Sequence, residues 1–158
     1  MAVTSTVVDF LEKKGTPYEV ISHPKRYTAL ETAEAEHVPG HTVAKVVMAK
    51  VDGKDSMFVI AADSRLDFFK VKSALGAKDI AMEEEIDFEH LFPDCEKGAM
   101  PPVGPLYRIP CYADADLVSN EAIVFNAGSH EESIRMAMKD YLSIAEAEIG
   151  DFAVPRSK

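Results

Sequence analysis

Along this chain, segments with apolar residues at the spacing of a helix alternate with segments that have the composition of strands. The first run lies on one face of a helix predicted over 4–14, and Gly15 ends that helix. The residues at 18–22 have the composition of a first strand. Thr28 and Glu31 then have the spacing of a capping box, which predicts a second helix reaching the Pro-Gly pair at 39–40.

Two apolar runs, at 42–51 and 56–62, flank an Asp-Gly pair at 52–53. Asp-Gly between apolar runs is a strong hairpin signal, because both residues tolerate the positive φ angles of a tight turn. The first run is apolar at alternate positions on both faces, which indicates a central strand covered on two sides.

The later part of the chain alternates shorter elements. The prediction comprises helices over 67–75, 83–91 and 139–149, strands over 79–82, 110–113, 122–126 and 133–138, and a proline-rich loop over 93–110. Adjacent strands joined by tight turns pair antiparallel. We therefore expect an α/β (α+β) fold with a mixed, largely antiparallel, barrel-like sheet and helices packed around it, formed by residues 1–158 as a single domain.

Charge limits the partners that this chain can have. With a net charge of −10, it is not expected to hold a long stretch of RNA, because phosphate neutralisation supplies much of nucleic-acid affinity. No membrane helix and no signal peptide are visible, so a cytoplasmic location without membrane or DNA partners is expected. A local rim of basic residues could still hold a tRNA acceptor end; its members would be Lys25, Arg26, Lys45, Lys50, Arg65, Lys70 and Lys72. The alternative is that these are scattered, solvated side chains.

Metal chemistry is not expected. Cys95 and Cys111 have no further ligand at metal-binding spacing and are interpreted as reduced thiols. His37 and His41 have the spacing of helical ligands, but the Pro-Gly pair between them breaks a helix. The acidic run at 83–85 is interpreted as a solvated helix start without a catalytic role.

Lys45 is the most unusual polar residue of the apolar runs. A lysine in the middle of a strand that is apolar on both faces must reach a polar cavity, because an isolated buried ammonium is strongly disfavoured. The alternative is that its long stem carries the ammonium to the surface.

The loop at 98–105 combines glycines with prolines. Glycines let backbone amides approach a ligand, and prolines hold the loop in shape. Such amides could stabilise a developing oxyanion, although a rigid structural turn has the same composition.

The segment from Asn126 to His130 follows an apolar strand and includes Gly128 and Ser129. Loops at strand ends often contain functional groups. A serine-hydrolase triad is not supported, because no third orienting group is identifiable. Capping by Asn126 or Ser129 is the alternative.

Taken in order, these segments resemble the YbaK / prolyl-tRNA-synthetase-associated editing domain family. The likeness spans nearly the whole chain and rests on His23-Pro24, Tyr27-Thr28-Ala29, the strand at 43–47, the loop at 98–104 and the segment at 125–130. The resemblance implies a mixed α/β fold, no metal or organic cofactor, and hydrolysis of the ester that joins an incorrect amino acid to the 3′ end of a tRNA.

The resemblance also implies the site. The family's essential lysine corresponds to Lys45, and its Gly-x-x-x-Pro loop runs from Gly98 to Pro102; these three residues are the expected catalytic set. The expected substrate-binding residues are Tyr27, Thr28, Ala99, Met100, Pro101, Gly128, Ser129 and His130. Lys45 would bind the terminal phosphate or ribose, or position water, while amides of the loop face the ester carbonyl and a hydroxyl of the terminal adenosine assists proton transfer.

The amino acid that is removed stays open. The alanine-removing subgroup implies Asn after the lysine, and Val46 stands there instead, so cysteinyl-, seryl- and other small aminoacyl-tRNAs remain alternatives to alanyl-tRNA. Expected partners are the acceptor end of an aminoacyl-tRNA and, to hold the rest of it, a synthetase or elongation factor. Alternatives to a trans-acting deacylase are a non-catalytic module that binds a small ligand or aminoacyl-tRNA, and an esterase for another small ester.

Overall fold

The structure, a computed structural model, describes residues 4–22, 41–96 and 98–155. The helix predicted over 28–36 and the predicted site residues Tyr27 and Thr28 lie outside these ranges. No helix within the ranges is long and apolar enough to cross a membrane. In chain order the elements are α1 (Thr4–Lys14), β1 (Glu19–Ser22), β2 (Ala44–Val51), β3 (Lys54–Ala61), β4 (Ser64–Leu66), α2 (Phe68–Leu75), β5 (Ile80–Met82), α3 (Glu85–Phe88), a 3-10 turn (Glu89–Leu91), α4 (Gly104–Tyr107), β6 (Cys111–Asp114), α5 (Ala115–Val118), β7 (Ala122–Asn126), β8 (Glu132–Ala137), α6 (Met138–Ala145), β9 (Glu148–Gly150) and β10 (Ala153–Pro155).

The predicted hairpin is confirmed as β2 and β3. The two strands pair antiparallel, and the turn between them has φ of 50° at Asp52 and 84° at Gly53. Positive φ at both central residues matches the twist of the flanking strands, which is why Asp-Gly predicts this turn from sequence alone.

The prediction that β2 is a central strand is also confirmed. β2 lies inside a five-stranded sheet with the order β5-β2-β3-β6-β9. Ala44 and Met48 belong to the larger core on one face, and Ala49 belongs to a second core on the other face, with Phe58 and Phe152. Both faces of β2 therefore contribute to a core, while Lys45, Val46 and Val47 are only partly buried.

A second sheet, with the order β1-β8-β7, joins the first through a parallel bridge between Val43 and Val124. A third pairing connects β10 to β4. Most strand pairs are antiparallel, but β6 is parallel to both β3 and β9. The mixed and largely antiparallel sheet with helices around it confirms the predicted fold class.

The prediction for the acidic run was wrong at Glu83. This residue follows β5, donates its amide to the Met48 carbonyl at 3.2 Å and is buried, and the helix begins only at Glu85. Pairing of β5 with β2 continues one residue beyond the strand and draws Glu83 into the protein.

The last predicted helix was too long. Helix α6 ends at Ala145, because Glu146 adopts a left-handed conformation with φ of 49°, and the chain then forms β9 beside β6. Strand β10 and its partner β4 were not predicted, since each has only three residues and the two strands are far apart in the sequence. The proline-rich loop over 93–110 includes the helical turn α4.

Candidate active site

Lys45 is the second residue of β2 and lies opposite Ile60 of β3. It is half-buried and lines a groove, called here the Lys45 groove, of about 390 Å³. The other residues that line this groove are Val47, Arg65, Leu66, Phe68 and Met82. Lys45 therefore belongs to a concave surface that is otherwise mainly apolar and includes a second basic residue, Arg65.

The end of β7 lies alongside the start of β2. The Val124 amide donates to the Thr42 carbonyl at 3.2 Å, and Val43 and Val124 pack together with Ala62. Lys45 and Asn126 each lie two residues beyond this parallel bridge, so by strand alternation each side chain is on the same face of its own strand as the bridged valine. Asn126 is 7% exposed. Its burial at the strand end that leads into the β7–β8 turn makes Asn126 a candidate site residue, which sequence reasoning considered only as a cap.

The proline loop, defined here as residues 96–103, is fastened to the turn between β7 and β8. The Gly128 amide donates to the Ala99 carbonyl, and the Glu96 amide donates to the Gly128 carbonyl, each at 2.9 Å. The His130 amide donates to a carboxylate oxygen of Glu96, also at 2.9 Å. The structure therefore brings together the loop and the strand-end segment that sequence reasoning proposed separately. Glu96 was missed, because its role depends on a contact with a distant turn.

Gly98 lies beside the imidazole of His130, close enough that an added Cβ would be in van der Waals contact with it. A Cβ built on Gly98 would lie 3.6 Å from Cε1 and 3.9 Å from Nε2 of His130, whose side chain is 2% exposed. Gly98 has φ of 77°, a conformation that L side chains rarely adopt. The backbone conformation therefore favours glycine at this position, while an added Cβ would make only ordinary contact with the imidazole.

The middle of the proline loop is buried. Ala99, Met100, Pro101 and Pro102 are all covered, and Met100 packs in the larger core. The Tyr141 hydroxyl donates to the Pro102 carbonyl at 2.6 Å, and the Val103 amide donates to the Pro101 carbonyl at 2.8 Å. These contacts hold the loop rigidly against α6.

The cavity beside the proline loop differs from the Lys45 groove. It measures about 350 Å³ and is lined by Glu89, His90, Phe92, Pro93, Cys95, Glu96 and Met100. The two cavities have no lining residue in common. Of the proline loop, Glu96 and Met100 line this second cavity, whereas Lys45 lines the Lys45 groove. Strand β7, which is bridged to Val43 at Val124, leads into the turn that binds the loop.

Neither a serine nor a cysteine is arranged as a nucleophile in the part of the site that the structure describes. The Ser129 hydroxyl accepts a hydrogen bond from the Glu131 amide at 3.3 Å, which is a local turn contact. Burial raises the pKa of the Cys95 thiol to about 11, so this group stays protonated at neutral pH. Burial also raises the pKa of Cys111, and both cysteines are free thiols, as predicted.

Similar proteins point to one class of substrate. A multifunctional Ser/Thr-tRNA deacylase, ProXp-y, of Escherichia coli K12 is 25% identical over 151 residues, which are 92% of this chain and 90% of that protein. A proline–tRNA ligase of Macrococcus caseolyticus is 30% identical over 112 residues, which are 61% of this chain but 19% of the ligase. Domains related to this chain therefore also occur inside prolyl-tRNA synthetases.

A crystal structure of a proposed trans-editing enzyme for prolyl-tRNA synthetase has the same fold. It superimposes with a TM-score of 0.84 at 22% identity and covers 99% of both chains. The sequence also matches the family described as the aminoacyl-tRNA editing domain over residues 23–144. This match confirms the resemblance predicted from the sequence, and with it the reaction class. The chain belongs to the aminoacyl-tRNA editing domain family.

Proposed function

We propose that this chain is a trans-acting deacylase that hydrolyses the ester between a small amino acid, serine or threonine, and the 3′ end of a mischarged tRNA. The observation that carries the proposal is the contact between the proline loop and the β7–β8 turn, which places Gly98 against the buried imidazole of His130. Membership of the editing family and the likeness to a Ser/Thr-tRNA deacylase support the choice of reaction and of amino acids.

The amides that are available in the proline loop define the oxyanion site. The Ala99 amide is already bonded to the Glu96 carbonyl at 3.1 Å, and residues 101 and 102 are prolines without an amide hydrogen. Among the described residues, the amides of Gly98 and Met100 donate to no protein acceptor. We assign these two amides to the carbonyl oxygen of the ester, where each donor would contribute about 3 kcal/mol to transition-state stabilisation.

The attacking group in this proposal is water. The oxygen of water bonds to the carbonyl carbon, the bond from that carbon to the ribose oxygen breaks, and the ribose oxygen takes up a proton. The products are the free amino acid and a tRNA with a free terminal hydroxyl. The engaged hydroxyl of Ser129 and the raised pKa of Cys95 support direct hydrolysis over an acyl-enzyme intermediate. The vicinal hydroxyl of the terminal adenosine would relay the proton.

Lys45 binds the phosphate of the terminal adenosine in this scheme, and Asn126 and His130 line the amino acid pocket. Both residues are buried, so they could present polar groups to the side-chain hydroxyl of serine or threonine. Tyr27 and Thr28 remain predicted substrate-binding residues, as do Gly128 and Ser129. Ala99, Pro101 and Pro102 are assigned the role of fixing the loop.

The chain would act in the cytoplasm as a single domain of residues 1–158. Its net charge of −10 is unsuited to holding the body of a tRNA, so a synthetase or elongation factor is proposed to hold the rest while the acceptor end enters the site.

The test is a panel of tRNAs charged with labelled serine, threonine, alanine, cysteine or proline, in which release of the amino acid is followed with time. We expect release of serine and threonine, and a rate reduced by about 100-fold or more in Lys45→Ala, since the terminal phosphate loses its cation. Lys54→Ala is the matched control, because Lys54 is an exposed lysine at the other end of the β2–β3 hairpin. Binding of charged tRNA without release would contradict the deacylase and indicate a binding module. Full activity of Lys45→Ala would contradict the role of Lys45.

A further inference from the structure

Glu83 has a buried carboxyl group to which no hydrogen-bond donor is directed. The residue is 6% exposed, and neither side-chain oxygen accepts a hydrogen bond from an N–H or O–H group of the residues that the structure describes. The group within hydrogen-bonding reach is a second carboxyl, that of Asp55 on β3. Two ionised carboxylates have no hydrogen to share, so Glu83 and Asp55 can bond to each other only while one of them retains a proton.

The surrounding charges place this proton on Glu83. Burial opposes ionisation of Asp55, but its bonds with Lys50, at 3.1 Å, and with Glu83 lower its pKa. Burial and the Asp55 carboxyl instead raise the pKa of Glu83 to about 7; the Lys50 ammonium opposes this rise. Asp87 of α3 adds to the rise at Glu83. His90 of the 3-10 turn acts on Asp55, where it favours the ionised form.

Glu83 is also the point at which a covering segment joins the sheet. Residues 83–95, called here the strap, run from the end of β5 through α3 and the 3-10 turn. Among the described residues, the strap makes one backbone hydrogen bond to the rest of the protein, from the Glu83 amide to the Met48 carbonyl at 3.2 Å. Its other backbone bonds, such as that from the Asp87 amide to the Glu84 carbonyl at 2.8 Å, are local.

The far end of the strap leads into the proline loop. Between the two ends, Phe88 and Phe92 are buried in the larger core. Directly after the strap, Glu96 binds the His130 amide through its carboxylate and Gly128 through its own amide. The strap therefore begins at a titrating group and ends at the residue that fastens the proline loop to the β7–β8 turn.

We propose that Glu83 and Asp55 form a latch, operated by a proton, that holds the strap on the sheet. While Glu83 retains its proton, the two carboxyls bond to each other and the strap stays closed. Opening of the strap brings Glu83 into water, where it releases the proton, and frees Glu96 from the β7–β8 turn. The latch does not require deacylase activity, and it makes the hold on the proline loop sensitive to pH.

The pH interval of the latch follows from the two states of Glu83. The closed strap retains the proton up to a pKa of about 7, whereas in the open strap the carboxyl is in water and returns to its ordinary value of 4.5. Opening between these two values releases a proton, so the opening constant rises by up to about tenfold for each pH unit. Below and above the interval, the opening constant does not depend on this group.

Amide hydrogen exchange, followed by NMR without any substrate, tests the latch. The reporters are the hydrogen-bonded amides of Glu83, Phe92 and Glu96, at the start, middle and end of the opening unit. Their protection factors, which correct for the intrinsic effect of pH on exchange, should fall together by about tenfold or more between pH 5 and pH 7. Low urea should hardly change them, because local opening exposes little surface, whereas protection of the central strand β3 should fall with urea as the whole protein does.

Glu83→Gln is the decisive variant, because its carboxamide can donate to Asp55 at every pH, as the protonated acid does. The three reporters should lose their pH dependence in Glu83→Gln and keep it in Glu84→Gln, which alters the exposed neighbouring carboxyl. A dependence that persists in Glu83→Gln would belong to another group, such as His90, and would overturn the latch.

The reporters also distinguish a local opening from a global one. If they follow β3 in their response to urea, the strap opens only with the whole protein and the latch is overturned. If protection falls at Glu83 but not at Glu96, the connection to the proline loop is overturned. Because exchange is measured without tRNA, none of these outcomes depends on whether the protein is a deacylase.

Discussion

The backbone amide of His130 donates a hydrogen bond of 2.9 Å to the carboxylate of Glu96, across 34 positions of sequence. The Glu96 carbonyl accepts from Ala99 and its amide donates to Gly128, so one residue fixes the proline loop to the β7–β8 turn through both its side chain and its backbone. This arrangement suggests that Glu96 positions the site without touching the ester.

We predict that Glu96→Ala loses about 1–3 kcal/mol of unfolding free energy, because a charged acceptor is removed from a partly buried amide. Activity should fall because the loop and His130 are no longer held together. Glu96→Gln keeps an oxygen at the same reach and should recover most of kcat. Urea unfolding and deacylation measured on both variants test this, and equal activity of the Ala and Gln variants would contradict the positioning role.

Gly98→Ala tests the contact with His130. Forcing alanine into φ of 77° is expected to cost about 1–2 kcal/mol, and the added methyl would lie against the imidazole where the ester is proposed to bind. Gly53→Ala is the matched control, because Gly53 has φ of 84° and no atom within 4 Å of an added Cβ. Both variants should lose similar stability in denaturant, but only Gly98→Ala should lose deacylase activity. A comparable loss of activity in both would mean that strain alone is responsible.

Sequence reasoning succeeded where the signal is local. Asp52-Gly53 determines a turn by its own φ preferences, so neighbouring residues suffice for that prediction. The helix predicted over 67–75 begins with an equally local contact, in which the Asp67 side chain accepts from the Lys70 amide at 3.0 Å. The proline loop was likewise recognised from its own glycines and prolines. The amides of this loop that remain available to a ligand could not be recognised from the sequence, because the hydrogen bond from the Ala99 amide to the Glu96 carbonyl exists only in the folded turn.

Long-range pairings explain what the sequence could not provide. The parallel bridge of Val43 to Val124 brings β7 to the start of β2, and no pattern within either strand encodes that register. The burial of Glu83 has the same origin, since its position follows from the pairing of β5 with β2. Short strands such as β4 and β10 also cannot be recognised from their own sequences, because each is stabilised by pairing with the other.

Tyr141→Phe tests the rigidity of the proline loop from its other end. The fully buried hydroxyl donates to the Pro102 carbonyl at 2.6 Å, and its removal leaves that carbonyl without this donor, at an expected cost of about 1–3 kcal/mol. Tyr18→Phe is the matched control, since the Tyr18 hydroxyl makes an exposed bond to Glu12, also at 2.6 Å. In chemical denaturation, the loss of unfolding free energy should be greater for Tyr141→Phe than for Tyr18→Phe by more than about 0.5 kcal/mol. If their stabilities change equally, the bond to Pro102 does not stabilise the loop.

Glu83 should make the stability of the protein depend on pH. Burial and the neighbouring carboxyl of Asp55 raise the pKa of Glu83 from 4.5 to about 7, while the ammonium of Lys50 acts in the opposite direction. The unfolded chain releases this proton near pH 4.5 and the folded chain only near 7, so unfolding free energy is unaffected below about 4.5 and falls as pH rises between these values.

Replacement of Glu83 by Gln removes the titrating proton and should therefore remove that fall. At pH 8 we expect Glu83→Gln to exceed the unaltered protein in unfolding free energy by on the order of 2 kcal/mol, and at pH 4 the two should agree. Glu84→Gln, which alters the exposed neighbour, should follow the unaltered protein at every pH. Urea titrations across this interval provide the comparison. Parallel curves for the unaltered protein and Glu83→Gln would mean that the Glu83 carboxyl is ionised in the folded state at the same pH as in the unfolded chain.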